Sequence, residues 1–192
     1  SIFEKFTKNQ VDKVVNAAAW ALCNPENNIY LSKLAVKTTN LGNYKDKFIK
    51  NKNKTLGLLR DLNKAKTFGI INKDKKNGII EIAKPIGVIA ALTPATNPVA
   101  TPMNNIINAL KCRNSIIVSP SPLGKKVFRE LLKIINKEFN KIKAPKNLIQ
   151  TFSMPVNLSL TKKLMKHVDL TIVTGAQHNV REAYSSGMPA IG

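Results

Sequence analysis

Arginine, acidic side chains and aromatics are all scarce in this chain of 192 residues. Asp and Glu together number 11 against 31 Lys and Arg, giving a formal net charge of +20. Arginine supplies only Arg60, Arg113, Arg129 and Arg181, so lysine carries the charge. Aromatics make up 6% and do not interleave with a basic stripe, so the stacking platform of a single-strand nucleic-acid binder is missing. A lysine-rich solvated surface is the expectation, together with an attraction for phosphorylated ligands. A basic RNA-binding protein ranks last among the readings; it would show steeply salt-dependent binding.

Long apolar runs are also lacking. Ile86–Leu92 and Ser115–Val118 are strand-length, and nothing approaches the ~18 residues of a membrane span. Ser1-Ile2-Phe3-Glu4-Lys5 is not followed by the apolar stretch of a signal peptide. The missing initiator Met fits a chain without its start, and the cytoplasm is the expected compartment. The two cysteines, Cys23 and Cys112, belong to no CxxC or Cys/His cluster, which excludes the usual zinc patterns; no metal is expected. Both read as buried reduced thiols. Cys112 stands near a helix end rather than at the helix start that would lower its pKa, so it is not read as a nucleophile. His167 and His178 have no acid–base partner in the local sequence and read as surface or cap residues. Trp20 and the methionines read as core.

What is present is a folding pattern. An apolar fraction of 43% suits a globular chain. Val11, Val14, Val15, Ala18, Ala19 and Leu22 recur at helical spacing, and Asn24-Pro25 ends that element. A second helix is expected from about Glu26 to Thr39, closed by Gly42, and a third from about Asn43 to Lys66. Residues 1–77 therefore read as an amino-terminal helical segment, ended by the turn Lys73-Asp74-Lys75-Lys76-Asn77-Gly78. After Gly78 strands and helices alternate. Strands are expected at Ile79–Lys84, Ile86–Leu92, Ser115–Val118, Asn147–Thr151 and Asp169–Val173. Helices are expected from Thr101, as N-cap with Pro102 in the first turn, from Leu123 to Phe139, from Leu158 to Lys166 and from Gly175 to Ser186. Such alternation predicts an α/β fold: a Rossmann-like parallel sheet of right-handed βαβ units over residues 78–192, following the helices.

Pro85–Pro122 is the most informative block: strand, polar turn, helix, second strand. Its turn, Thr93-Pro94-Ala95-Thr96-Asn97-Pro98, falls at the carboxyl end of a strand, where open α/β sheets place ligands. Pro94 and Pro98 stiffen it. A fixed Asn97 amide would serve as an oxyanion donor, although spacing alone favours an Asn that stabilises its own turn. Thr174-Gly175-Ala176 likewise joins a strand to a helix. Glycine there allows a phosphate close to the backbone and to the helix N-terminus, although a plain helix cap is the simpler reading.

These motifs closely resemble the CoA-acylating branch of the aldehyde dehydrogenase superfamily. Thr96-Asn97-Pro98 lacks the aromatic that precedes this Asn in hydrolysing members. Arg113-Asn114 stands where those usually have Gly-Asn, and Ser119-Pro120-Ser121-Pro122 replaces their ribose-holding Lys-Pro pair. Lys54-Thr55-Leu56-Gly57, Leu59-Arg60-Asp61-Leu62 and the tail Ala183-Tyr184-Ser185-Ser186-Gly187 with Pro189-Ala190-Ile191-Gly192 also have counterparts. Within that branch the chain is most similar to enzymes acting on sulfoacetaldehyde. The resemblance implies an NAD- or NADP-dependent oxidation of an aldehyde to its acyl-CoA through a cysteine thioester, with coenzyme A as cosubstrate. It implies Asn97 as oxyanion donor and a cofactor site at Thr93, Pro94, Ala95, Thr96, Ser119, Pro120, Ser121, Pro122, Thr174, Gly175 and Ala176. The family's nucleophilic cysteine and a further assembly strand lie downstream of the matched region. The expectation is therefore an amino-terminal piece with an incomplete dinucleotide-binding domain, inactive alone and part of a homo-oligomer when whole. The alternative is a non-catalytic nucleotide- or phosphate-binding module.

Overall fold

The structure is a computed structural model describing residues 2–153 and 157–192; Met154 lies outside the described residues. Three helices open the chain: α1 (Lys8–Cys23), α2 (Pro25–Thr39) and α3 (Tyr44–Leu62). Thr7 starts α1 with a reciprocal capping box to Gln10, and Asn24 caps α2 through the N–H groups of Glu26 and Asn27. Asn40, left-handed at φ 54°, ends α2, so the stop falls two residues before the predicted Gly42. The α1 face at Val11, Val14, Val15, Ala18, Ala19 and Leu22 is buried as its spacing requires. Trp20 is not core: it stands 52% exposed.

The helical reading of residues 1–77 fails at its end. Gly69–Asp74 is a strand, β1, paired antiparallel with β2 (Ile79–Ala83) in a separate hairpin. The turn at Asp74–Gly78 thus joins two strands instead of closing a helix, with Asp74 accepting from the N–H groups of Lys76 and Asn77. Ile70, Ile79, Ile80 and Ile82 lie exposed on this hairpin.

The remainder is a five-stranded sheet whose paired strands all run parallel: β3 (Val88–Thr93), β4 (Ser115–Pro120), β5 (Ile149–Thr151), β6 (Leu170–Val173) and β7 (Ala190–Ile191). The spatial order is β5-β4-β3-β6-β7, so the winding reverses beside β3. The connecting helices are α4 (Ala100–Lys111), α5 (Lys125–Lys141), α6 (Leu158–Met165) and α7 (Gln177–Tyr184). Side chains alternate across the sheet with period two. Ile89, Ala91, Ile116 and Val118 join Met103, Ile106, Leu110, Phe128, Leu131 and Ile135 of α4 and α5 in the main core. On the opposite face, Leu92 and Val173 pack with Met165 of α6 and Ala183 of α7. The α1 helix covers α4 and α5 from outside. The expected α/β fold is therefore present: amino-terminal helices followed by a parallel sheet of βαβ units, whose order makes it doubly wound. Thr101 is not the N-cap of α4: the helix begins at Ala100 behind Val99, with no side-chain cap.

Arg113 shows how a substitution in a turn is compensated. It sits left-handed at φ 60°, a conformation that costs a side-chain-bearing residue about 1–2 kcal/mol. Its Nε donates to the Phe6 carbonyl at 3.0 Å, and its guanidinium lies 3.8 Å from the centre of the Phe68 ring. Those two contacts together contribute roughly 2–3 kcal/mol. Arg113→Ala keeps the strain and loses both contacts, whereas Arg113→Gly loses the contacts and the strain together. Urea unfolding should therefore rank stability as Arg, then Gly, then Ala; an alanine variant as stable as Arg113 would refute this account.

Candidate functional site

At the carboxyl ends of β3, β4 and β6 the connecting loops part around a cleft of about 400 Å³. Its walls come from three turns. Thr93, Pro94 and Ala95 follow β3; Ser119, Pro120, Ser121 and Pro122 end β4; Thr174, Gly175 and Ala176 follow β6. The strand registers hold these turns level. Thr93 pairs with Pro120 and Leu92 with Val173, and the Ser121 N–H donates to the Thr93 carbonyl at 2.9 Å. The position beside the reversal of winding is where doubly wound sheets bind ligands.

The lining is uncharged: hydroxyls, two amides, prolines and small apolar groups. Thr93, which lines the cleft, keeps its Oγ1 buried without a hydrogen-bond partner among the described residues. The α7 helix opens beside the cleft at Ala176 with no side-chain cap, so the positive end of its dipole lies near the cleft wall. Ser121 has a structural task as well, accepting from the Gly124 N–H at 3.3 Å to cap a single 3₁₀ turn. A dinucleotide fits this donor set: an anion-tolerant helix start, hydroxyls for ribose, and no carboxylate to repel a phosphate.

Two predicted residues stand apart. Thr96 and Asn97 do not line the cleft. They lie farther along the same loop, against α3. The Thr96 carbonyl accepts from Lys47 Nζ at 3.0 Å, and Asn97 Oδ1 accepts from Lys50 Nζ at 3.2 Å. Pro98 is buried behind Asn97, close against Gly124. Sequence reasoning also missed Asn157, Leu158, Thr161 and Asn179, which complete the cleft. Asn157 was legible as the N-cap of α6, accepting from the Leu160 N–H at 2.8 Å. Lys47 and Lys50 carried no local signal.

Neither cysteine is activated. Cys23 and Cys112 are half-buried, and burial pushes both thiols up; Lys111 and Arg113 beside Cys112 only partly oppose that. His167 is exposed, with Nδ1 2.8 Å from the Lys163 carbonyl, and His178 is exposed in the first turn of α7. Among the described residues no helix is long and apolar enough to cross a membrane.

Residues 41–187 match the profile of the aldehyde dehydrogenase family. The chain belongs to that family. This aldehyde dehydrogenase chain is 50% identical over 190 residues to sulfoacetaldehyde dehydrogenase (acylating) of Cupriavidus necator, covering 99% of the chain and 38% of the relative. An acetylating aldehyde dehydrogenase from Geobacillus thermoglucosidasius superposes with a TM-score of 0.92 at 37% identity, over 100% of this chain and 42% of that one. Propionaldehyde dehydrogenase from Rhodopseudomonas palustris, solved with bound CoA and an acylated cysteine, gives 0.85 at 30% identity, over 100% and 43%. The chain thus spans about two fifths of the length of these relatives.

Proposed function

We propose that this chain is the amino-terminal part of an NAD(P)-dependent, CoA-acylating aldehyde dehydrogenase that oxidises a short aldehyde, sulfoacetaldehyde by the nearness of its relatives, to the acyl-CoA. The observation that carries the reading is the convergence of the β3, β4 and β6 turns on one uncharged cleft in a chain half identical to an acylating enzyme. The overall change is aldehyde, CoA thiol and oxidised cofactor giving acyl-CoA, reduced cofactor and a proton. The bound nicotinamide supplies hydride acceptance. Thr93–Ala95, Ser119–Pro122 and Thr174–Ala176 hold and orient the dinucleotide, and Thr96 backs the loop that carries the donor. Asn97 presents its Nδ2 hydrogens to the oxyanion that develops when a cysteine thiolate adds to the aldehyde. By the resemblance, that cysteine lies downstream of the matched region; Cys23 and Cys112, half-buried with their thiols pushed up by burial, do not line the cleft.

The same reading divides the chain at about residue 77 into a helical segment and a dinucleotide-binding domain, with the β1–β2 hairpin bridging them. It places the complete enzyme in the cytoplasm as a homo-oligomer, for which the exposed isoleucines of the hairpin offer an apolar surface.

Gly175 supplies the test. A Cβ there would approach only Asn179 Nδ2, at 3.8 Å, so a side chain is tolerated by the protein but would stand where the ligand passes. Gly175→Val should weaken NAD+ or NADP+ binding by at least about tenfold, ~1.4 kcal/mol, with the unfolding midpoint unchanged. Calorimetric titration of the chain and its variant reads the affinity, and urea unfolding reads the midpoint. Equal affinities, or no dinucleotide binding by the unaltered chain, would remove the assignment of this cleft.

A further inference from the structure

We propose that Lys47 and Lys50 of α3 recognise the anionic tail of the substrate, so that the site selects short aldehydes bearing a sulfonate or carboxylate group. The inference rests on the function proposed above and names the substrate class of that same site.

The two lysines are spaced i, i+3 and share one helix face. Both reach the loop that carries the oxyanion donor: Lys47 Nζ donates to the Thr96 carbonyl and Lys50 Nζ to Asn97 Oδ1. An ammonium can only donate, so the Lys50 bond turns Oδ1 towards α3 and leaves the Nδ2 hydrogens for the reacting carbonyl. Two positive charges of α3 therefore stand beside the loop that would hold the aldehyde.

Among the described residues neither lysine makes an ion pair. The neighbouring carboxylate, Asp46, is bound by Asn43 Nδ2 at 2.6 Å. Burial and the Lys50 charge hold the Lys47 ammonium below its ordinary value. Like charges on one helix face repel, and an anion between them would relieve that repulsion. The helix that holds them is fixed. Asn51, next to Lys50, is buried and donates to Asn28 Oδ1 at 2.9 Å and Ser32 Oγ at 3.2 Å, while Asn28 Nδ2 bonds the Phe48 carbonyl at 3.0 Å. The reach also suits a small substrate. With one methylene between them, an acidic group sits roughly 3 Å from the carbonyl carbon, close enough for its oxygens to meet an ammonium that bonds the donor amide itself.

The test compares sulfoacetaldehyde with propionaldehyde, a neutral aldehyde of similar length, in the complete enzyme. Lys47→Met and Lys50→Met should each lower the ratio of kcat/KM for the charged over the neutral aldehyde by about 10- to 100-fold, the range of a lost charge-assisted hydrogen bond. Lys50→Arg should keep most of that ratio. Any kcat loss from a displaced Asn97 falls on both aldehydes and cancels. As a second measurement, ethanesulfonate should compete with sulfoacetaldehyde in the unaltered enzyme and much less in either methionine variant. A ratio unchanged in both methionine variants, or ethanesulfonate competing equally in all forms, would overturn the proposal and leave the lysines as braces for the loop. An unaltered enzyme that oxidises neither aldehyde would instead defeat the function on which it rests.

Discussion

Asn97→Ala is expected to lower kcat of the complete enzyme about 10²- to 10³-fold, the usual loss when one preorganised oxyanion donor is removed, with KM for the aldehyde little changed. The size of the effect follows from how firmly the amide is held. Pro98 is buried behind it, and the Asn97 carbonyl accepts the Thr101 N–H at 3.3 Å, tying the loop to the start of α4. That bond is made by the backbone and survives the substitution. The side-chain oxygen is bound by Lys50, so the amide is oriented before charge develops and no reorganisation is needed at that moment. Asn97→Asp should be worse than alanine, because it replaces the donor with a carboxylate beside a developing negative charge. Steady-state kinetics and urea unfolding together separate this role from a turn-stabilising one. A loss of stability of about 1 kcal/mol with kcat preserved would assign Asn97 to its own turn.

Much of this arrangement was legible in the sequence, and the parts that were not share a physical cause. Strands buried on both faces, such as β3 and β4, read as continuous apolar runs, and the helices between them as amphipathic repeats. The strand-to-helix order put the turns after β3 and β6 at the edge where such sheets place ligands, whereas residues 119–122 entered through the resemblance; the structure brings all three turns to one cleft. The β1 strand gave no such signal: Gly69–Asp74 is mostly exposed, follows a lysine-rich helix, and owes its shape to a partner rather than to a core. With only two residues, β7 is too short to show a period. Trp20 is exposed because it falls outside the inward face of α1, where Ala18, Ala19 and Leu22 point. Asn157 completes the cleft and Lys47 and Lys50 meet the Asn97 loop by tertiary approach, the lysines across 49 and 47 positions of chain. Local patterns do not contain such contacts.

Gly87→Val should destabilise the chain by about 2–4 kcal/mol, through strained backbone combined with a clash at the start of the central strand. Gly87 has φ +125°, outside the range of side-chain-bearing residues, and a Cβ there would collide with the Asp169 carboxylate. That carboxylate is not free to retreat, because Oδ2 accepts from the Val88 N–H at 2.7 Å. On the other side, Asn114 Oδ1, almost fully buried, accepts from the N–H groups of both Ile86 and Gly87, at 2.7 and 2.9 Å. The start of the central strand is thus pinned to both neighbours at once: to β4 through Asn114 and the Ser115–Gly87 backbone bond, and to β6 through Asp169. These pins set the register that, six residues later, levels Thr93 with Pro120 and Leu92 with Val173. The expected urea midpoint falls by more than about 1 M. The surviving folded fraction should also bind dinucleotide more weakly, since turns displaced along their strands no longer face one cleft. An undiminished midpoint would mean that the register is held elsewhere in the sheet, and that the glycine is incidental to the site at its far end.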